Sequence, residues 1–129
     1  MVSDPFSVED IPRVFPTIKP FIERLYREFG GYPEHEVERL LLVGAATLHL
    51  VGEDAFLIAQ WSENTCHVLC AASLKGHLDS WSDVISATTS YVKQLGCSKL
   101  TFTSPREGWG RVAAQVGFHV ESKTYAMEF

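Results

Sequence analysis

The amino-acid sequence predicts an α+β domain built on a mixed central sheet, with helices on both faces. Three observations point there. Apolar residues recur at helical spacing over 18–29 and 37–41, and again over 81–95. Between those stretches, 46–74 changes to apolar, β-rich runs broken by tight-turn residues. After 95 a short extended run returns, so strand, long helix and strand follow one another, the order of a right-handed βαβ crossover.

The elements follow in turn. Ser7 precedes Val8-Glu9-Asp10, which reads as a helix start with a capping oxygen and acids in the first turn. Pro12, Pro16 and Pro20 each remove a backbone donor, so the first helix is expected to be broken. Ile18, Ile22, Leu25, Tyr26 and Phe29 then mark a helix over 17–29, ended by Gly30-Gly31. Pro33 can occupy the first turn of the next helix, with Val37, Leu40 and Leu41 inward and Gly44 closing it.

Runs 46–51 and 55–61 read as strands joined by a hairpin turn at Gly52-Glu53-Asp54. Ser62-Glu63-Asn64 is a second turn. The largely apolar run 65–74 is a third, central strand. Asp79 or Ser80 caps the clearest helix, whose apolar face carries Trp81, Val84, Ile85, Thr88, Tyr91, Val92 and Leu95. Gly96 stops it. A strand over 99–103, a short helix over 108–116 and one extended segment over 119–129 complete the chain.

At 129 residues with no repeat, linker or low-complexity stretch, 1–129 reads as a single domain. The charge is −5, from 11 Lys plus Arg against 16 Asp plus Glu, which argues against a nucleic-acid footprint over the whole surface. No apolar run reaches the ~18 residues that would cross a bilayer. The opening Met1-Val2-Ser3-Asp4-Pro5 lacks the basic and apolar regions of a signal peptide. Cys66, Cys70 and Cys97 form no spaced framework of the secreted type and read as reduced thiols of a cytosolic protein. On a strand, Cys66 and Cys70 would face one side and His67 the other, and no metal-ligand spacing occurs.

Four strings stand out together: Leu78-Asp79-Ser80-Trp81-Ser82-Asp83, Gly96-Cys97, Arg106-Glu107-Gly108-Trp109-Gly110-Arg111, and Gly117-Phe118. With the element order, they resemble the GNAT (GCN5-related N-acetyltransferase) fold, and within it small GNAT-like proteins encoded by tailed bacteriophages. The resemblance implies an acetyl-CoA loop before the long helix, where active members carry Gln/Arg-x-x-Gly-x-Gly/Ala. The matching residues here are Leu74, Lys75, Gly76 and His77, the cofactor contacts if acetyl-CoA binds. Leu78 replaces the second small residue, and Asp79 brings a carboxylate to where phosphates would arrive. Active members also carry a general-acid Tyr four residues before the Gly of Gly-Phe. That position is Ala113, and Tyr91 and Tyr125 lie in other elements. A general base would be a Glu or His of the middle strands, for which His49, Glu63 and His67 are available.

Arg106, Trp109 and Arg111 can form a protein-contact surface, since Trp and Arg dominate interface hot spots, or Trp109 can pack on the sheet edge. The resulting expectation is a phage-encoded GNAT-fold protein, degenerate in the acetyl-CoA loop and without a cofactor. It would act as a virion-associated or protein-binding component, in the host cytoplasm or the virion, with neither nucleic acid nor membrane as partner. The alternatives are an active acetyl-CoA-dependent N-acetyltransferase on a protein or small amine, and a phage inhibitor of a host protein.

Overall fold

The structure, a computed structural model, describes residues 2–29, 32–74, 81–103, 119–121 and 124–129. A 3-10 turn at Val8–Asp10 leads into α1 (Ile11–Phe29), followed by α2 (Glu34–Leu42). Strands β1 (Thr47–Val51), β2 (Ala55–Ser62) and β3 (Thr65–Ser73) form an antiparallel meander. Helix α3 (Trp81–Gln94) then crosses to β4 (Lys99–Thr103), which runs parallel to β3. The predicted α+β class and crossover are both present.

The first helix departs from expectation. It is continuous through Pro16 and Pro20. Ile11, Phe15, Ile18 and Ile22 are buried on one stripe, while Pro12, Pro16 and Pro20 are exposed on another. The Pro12 and Pro16 carbonyls, which lose their helical donors to Pro16 and Pro20, therefore belong to exposed residues. Four buried side chains, each contributing about 1.5–3 kcal/mol, are of a size to offset two interior prolines at about 3 kcal/mol or more apiece. Ser7 also differs: its hydroxyl donates to the Asp10 carboxylate at 3.1 Å, and no side-chain bond caps a backbone amide.

Pro33 precedes α2 as its cap residue, and Val37 and Leu41 are buried beneath the helix. The end of α2 is a Schellman turn, in which the Ala45 amide donates to Leu40 at 2.9 Å and that of Gly44 to Leu41 at 3.3 Å. Gly44 sits at φ +77°, as this turn requires. The acidic face of α2 is solvated, with Arg39 reaching Glu36 at 3.2 Å.

Leu48, Phe56 and Ile58 pack against α1 and α2 in one core. On the opposite face, Val51, Ala55 and Leu57 meet Val84 and Ala87 of α3, and Ala59 and Cys66 meet Val92. Thr88 is tolerated in that face because its hydroxyl donates back to the Val84 carbonyl at 2.8 Å. Leu95, expected inward, lies past the helix end and is 55% exposed. Gly96 follows at φ +90° with open space where a Cβ would stand. Gly96→Ala therefore meets no clash but pays backbone strain, and urea unfolding should show a loss of about 1–2 kcal/mol.

The segment expected as one extended run folds into two strands, β5 (His119–Glu121) and β6 (Thr124–Glu128). β6 inserts between β4 and β5, giving the sheet order β1-β2-β3-β4-β6-β5. The expected helix over 108–116 lies outside the described residues. No helix among the described residues is long and apolar enough to cross a membrane.

Candidate functional site at the parting of β3 and β4

β3 is nine residues long, yet it pairs with β4 only from Thr65↔Lys99 to Val68↔Phe102. Beyond Val68 it stays paired with β2, from Ile58↔Cys70 to Ala55↔Ser73, and among the described residues 69–72 pair with no strand on the β4 side. The register with β2 shifts at this point, because Ile58 pairs with Cys70 and Ala59 with Val68. Leu69 is thus an extra residue in β3, a bulge that turns the strand away from its neighbour. The parted segment 69–72 presents backbone donors and acceptors on the side away from β2.

The bulge also resets the side-chain alternation. Leu69 and Cys70 both pack toward α1 and α2, whereas Cys66 and Val68 lie on the α3 side. Cys66 and Cys70 therefore occupy opposite faces, which corrects the expectation that they share one. Burial pushes both thiols up to about 12, so neither supplies a thiolate at neutral pH.

The three candidate bases separate cleanly. Glu63 is an exposed turn residue at φ 45°. His49 is 1% exposed, and both ring nitrogens have partners, the Ser3 carbonyl at 2.9 Å and the Thr47 hydroxyl at 2.7 Å. His67 lies at the throat of the parting, one residue before the last β3–β4 pair. Its Nδ1 is hydrogen bonded to the hydroxyl of Thr101, directly opposite on β4. Among the described residues its Nε2 has no partner. Burial lowers its pKa, so the ring is neutral and able to accept a proton at pH 7.

Tyr91 lies on the α3 side, its ring 5.4 Å from that of His49, and so does not share a face with His67. Burial, then the Asp4 charge and Cys66, pushes its phenol up. Trp61, which the sequence leaves as core or rim, is half-buried and donates its indole N–H to Thr47 at 2.8 Å.

Of the residues singled out for the cofactor loop, Leu74 is described. It follows β3 at the open end of the parting, its amide donating to the Asp54 carbonyl at 2.7 Å. Lys75, Gly76 and His77 lie outside the described residues, as do Leu78, Asp79 and Ala113. Arg106, Trp109 and Arg111, the expected contact surface, also lie outside them. Thr101 was not anticipated: it is 34 residues from His67, and nothing local marks it.

A search of solved structures returns N-acetyltransferases of one architecture. PaiA N-acetyltransferase from Thermoplasma acidophilum, solved with coenzyme A, aligns over 100% of this chain and 99% of its own, with TM-score 0.61 and 12% identity. The chain has the GNAT fold. GCN5 of Tetrahymena shares that fold at TM-score 0.66 and 6% identity, over 91% of this chain and 87% of its own. A GCN5-related N-acetyltransferase from Rhodopseudomonas palustris aligns at TM-score 0.54 and 14% identity, over 100% and 95%. At these identities the likeness is one of fold. No family model matches the sequence, and no curated protein is significantly similar to it.

Proposed function

We propose that this GNAT-fold chain is an acetyl-CoA-dependent N-acetyltransferase working at the parting of β3 and β4, with His67 as general base. The observation that carries the reading is the edge of β3 over 69–72, which among the described residues pairs with no strand on the β4 side. An extended ligand with amide groups, such as the pantetheine arm of coenzyme A, can add to such an edge as a strand would. Residues 69–72 and Leu74 would hold that arm, and the start of α3 favours an anion. Bound acetyl-CoA supplies an activated thioester acyl group. His67 would take the proton from the attacking amine, as burial keeps its ring neutral. Coenzyme A bound to the Thermoplasma relative supports the same reading.

A second reading follows from the sequence. Leu78 and Asp79 suit a phosphate loop poorly, and Ala113 has no proton to give a departing thiolate. They favour a protein-binding component, of a phage virion or aimed at a host protein, with Arg106, Trp109 and Arg111 at the contact. Calorimetric titration of acetyl-CoA into the purified protein separates the two. The enzyme reading expects binding on the order of micromolar, about −8 kcal/mol. No heat at millimolar ligand would overturn it in favour of the protein-binding role.

A further inference from the structure

His67 and Thr101 share a rung of the sheet, the last but one before β3 and β4 part. The rung runs from Gln60 on β2 through His67 and Thr101 to Ala126 on β6. Thr101 is 7% exposed and is paired on both sides, to β3 and to β6, so backbone pairing sets where its hydroxyl stands. Ala126 brings no polar side chain, and among the described residues the His67 ring is the partner of that hydroxyl. A bond from Nδ1 to a neighbour fixed in this way also fixes the ring. It leaves Nε2 as the ring nitrogen free to meet a substrate.

A threonine hydroxyl can donate or accept, so two arrangements satisfy this bond, and they leave different chemistry on Nε2. If the hydroxyl donates, Nδ1 holds a lone pair there and the neutral ring carries its hydrogen on Nε2. Nε2 then has no lone pair for an incoming proton. If the hydroxyl accepts, Nδ1 carries the hydrogen and Nε2 keeps its lone pair, while the hydroxyl hydrogen rotates away. Once Nε2 has taken a proton, Nδ1–H still donates to the same oxygen. The accepting arrangement alone serves the ring before and after proton transfer, with no reorganisation at the moment of reaction.

We propose, on the reading of His67 as general base, that Thr101 is a positioning residue whose hydroxyl oxygen accepts Nδ1–H of His67 and so leaves the Nε2 lone pair for the attacking amine. As the amine attacks, its proton passes to Nε2 and the ring becomes imidazolium, with Nδ1–H retained on Thr101. Nε2 then gives that proton to water, and the ring returns to its starting form.

Nitrogen NMR of the histidine rings in the intact protein at about pH 8, where neutral imidazole prevails, reads the position of the hydrogen. His49 is the internal standard: its Nδ1 faces the Ser3 carbonyl, which can only accept, so that nitrogen carries the hydrogen. His67 should show the same pattern. In Thr101→Val its hydrogen should divide between the two nitrogens, and in Thr101→Ser it should return to Nδ1, with His49 unchanged in both. Thr101→Val should also lower kcat for acetyl transfer by roughly 10–10²-fold at unchanged KM for acetyl-CoA, and Thr101→Ser should recover most of that loss. A hydrogen on Nε2 of His67 in the unaltered protein, a ring indifferent to Thr101→Val, or a kcat that Thr101→Val leaves intact would each overturn the role of Thr101. Absence of acetyl transfer by the unaltered protein, with the His67 hydrogen on Nδ1, would instead overturn the general base and keep the bond to Thr101.

Discussion

Phe56→Ala should lower the free energy of unfolding by about 3–5 kcal/mol, measured by urea denaturation. Phe56 is 0% exposed on β2, paired with Leu50 and Ala72 in the interior of the meander. Its ring meets that of Phe21 edge-on at 6.3 Å and 66°. Removing it forfeits burial of a large apolar surface, leaves a cavity between sheet and α1, and ends an aromatic contact of about 0.5–1.5 kcal/mol. The neighbours cannot close the gap, because Ile58 and Leu48 are fixed by strand register and Phe15 by its helix. Val43→Ala, at a side chain 65% exposed, is the control and should stay within about 0.5 kcal/mol. A Phe56→Ala loss as small as the control's would show that this core is not packed as described.

The second large effect concerns chemistry. If His67 is the base, His67→Gln should reduce kcat/KM for acetyl transfer by roughly 10²–10⁴ while leaving acetyl-CoA affinity nearly unchanged. The side chain sits at the throat of the parting, so its loss removes a proton acceptor without touching the 69–72 edge. Because burial lowers the His67 pKa below 6.5, activity should rise with pH through a midpoint below that value and level off by neutrality. His35→Gln, at an exposed position on α2, should leave rate and profile as they are. An unaltered rate in His67→Gln, with acetyl-CoA still bound, would remove this residue from the mechanism.

The architecture was readable wherever local chemistry and burial agree. The turn at Gly52 and the stripe along α3 announce themselves because each is set by residues a few positions apart. α1 was misjudged because proline cost is local whereas the gain from Ile11, Phe15, Ile18 and Ile22 comes from a sheet much later in sequence. The division of 119–129 into β5 and β6 carries no Gly or Pro to mark its turn. At the site, His67 was a candidate among three, and only burial and partners ranked it. The bulge at Leu69 has no Gly or Pro beside it, so neither the parting nor the switch of Cys70 to the other face could be foreseen.

The strand order also bears on how the sheet assembles in time. Turns of a few residues join β1, β2 and β3, so the meander closes at small entropic cost and can collapse early on its own contacts. β4 reaches β3 only after α3 has been laid across the sheet, and β6, paired with β5, joins the rest of the sheet through β4. Non-local pairings of this kind slow folding, because loop closure must precede the contacts that reward it. The half of the sheet that holds the Phe56 core is thus the natural nucleus. The β3–β4 seam, where His67 meets Thr101, is by contrast a non-local pairing across 34 residues.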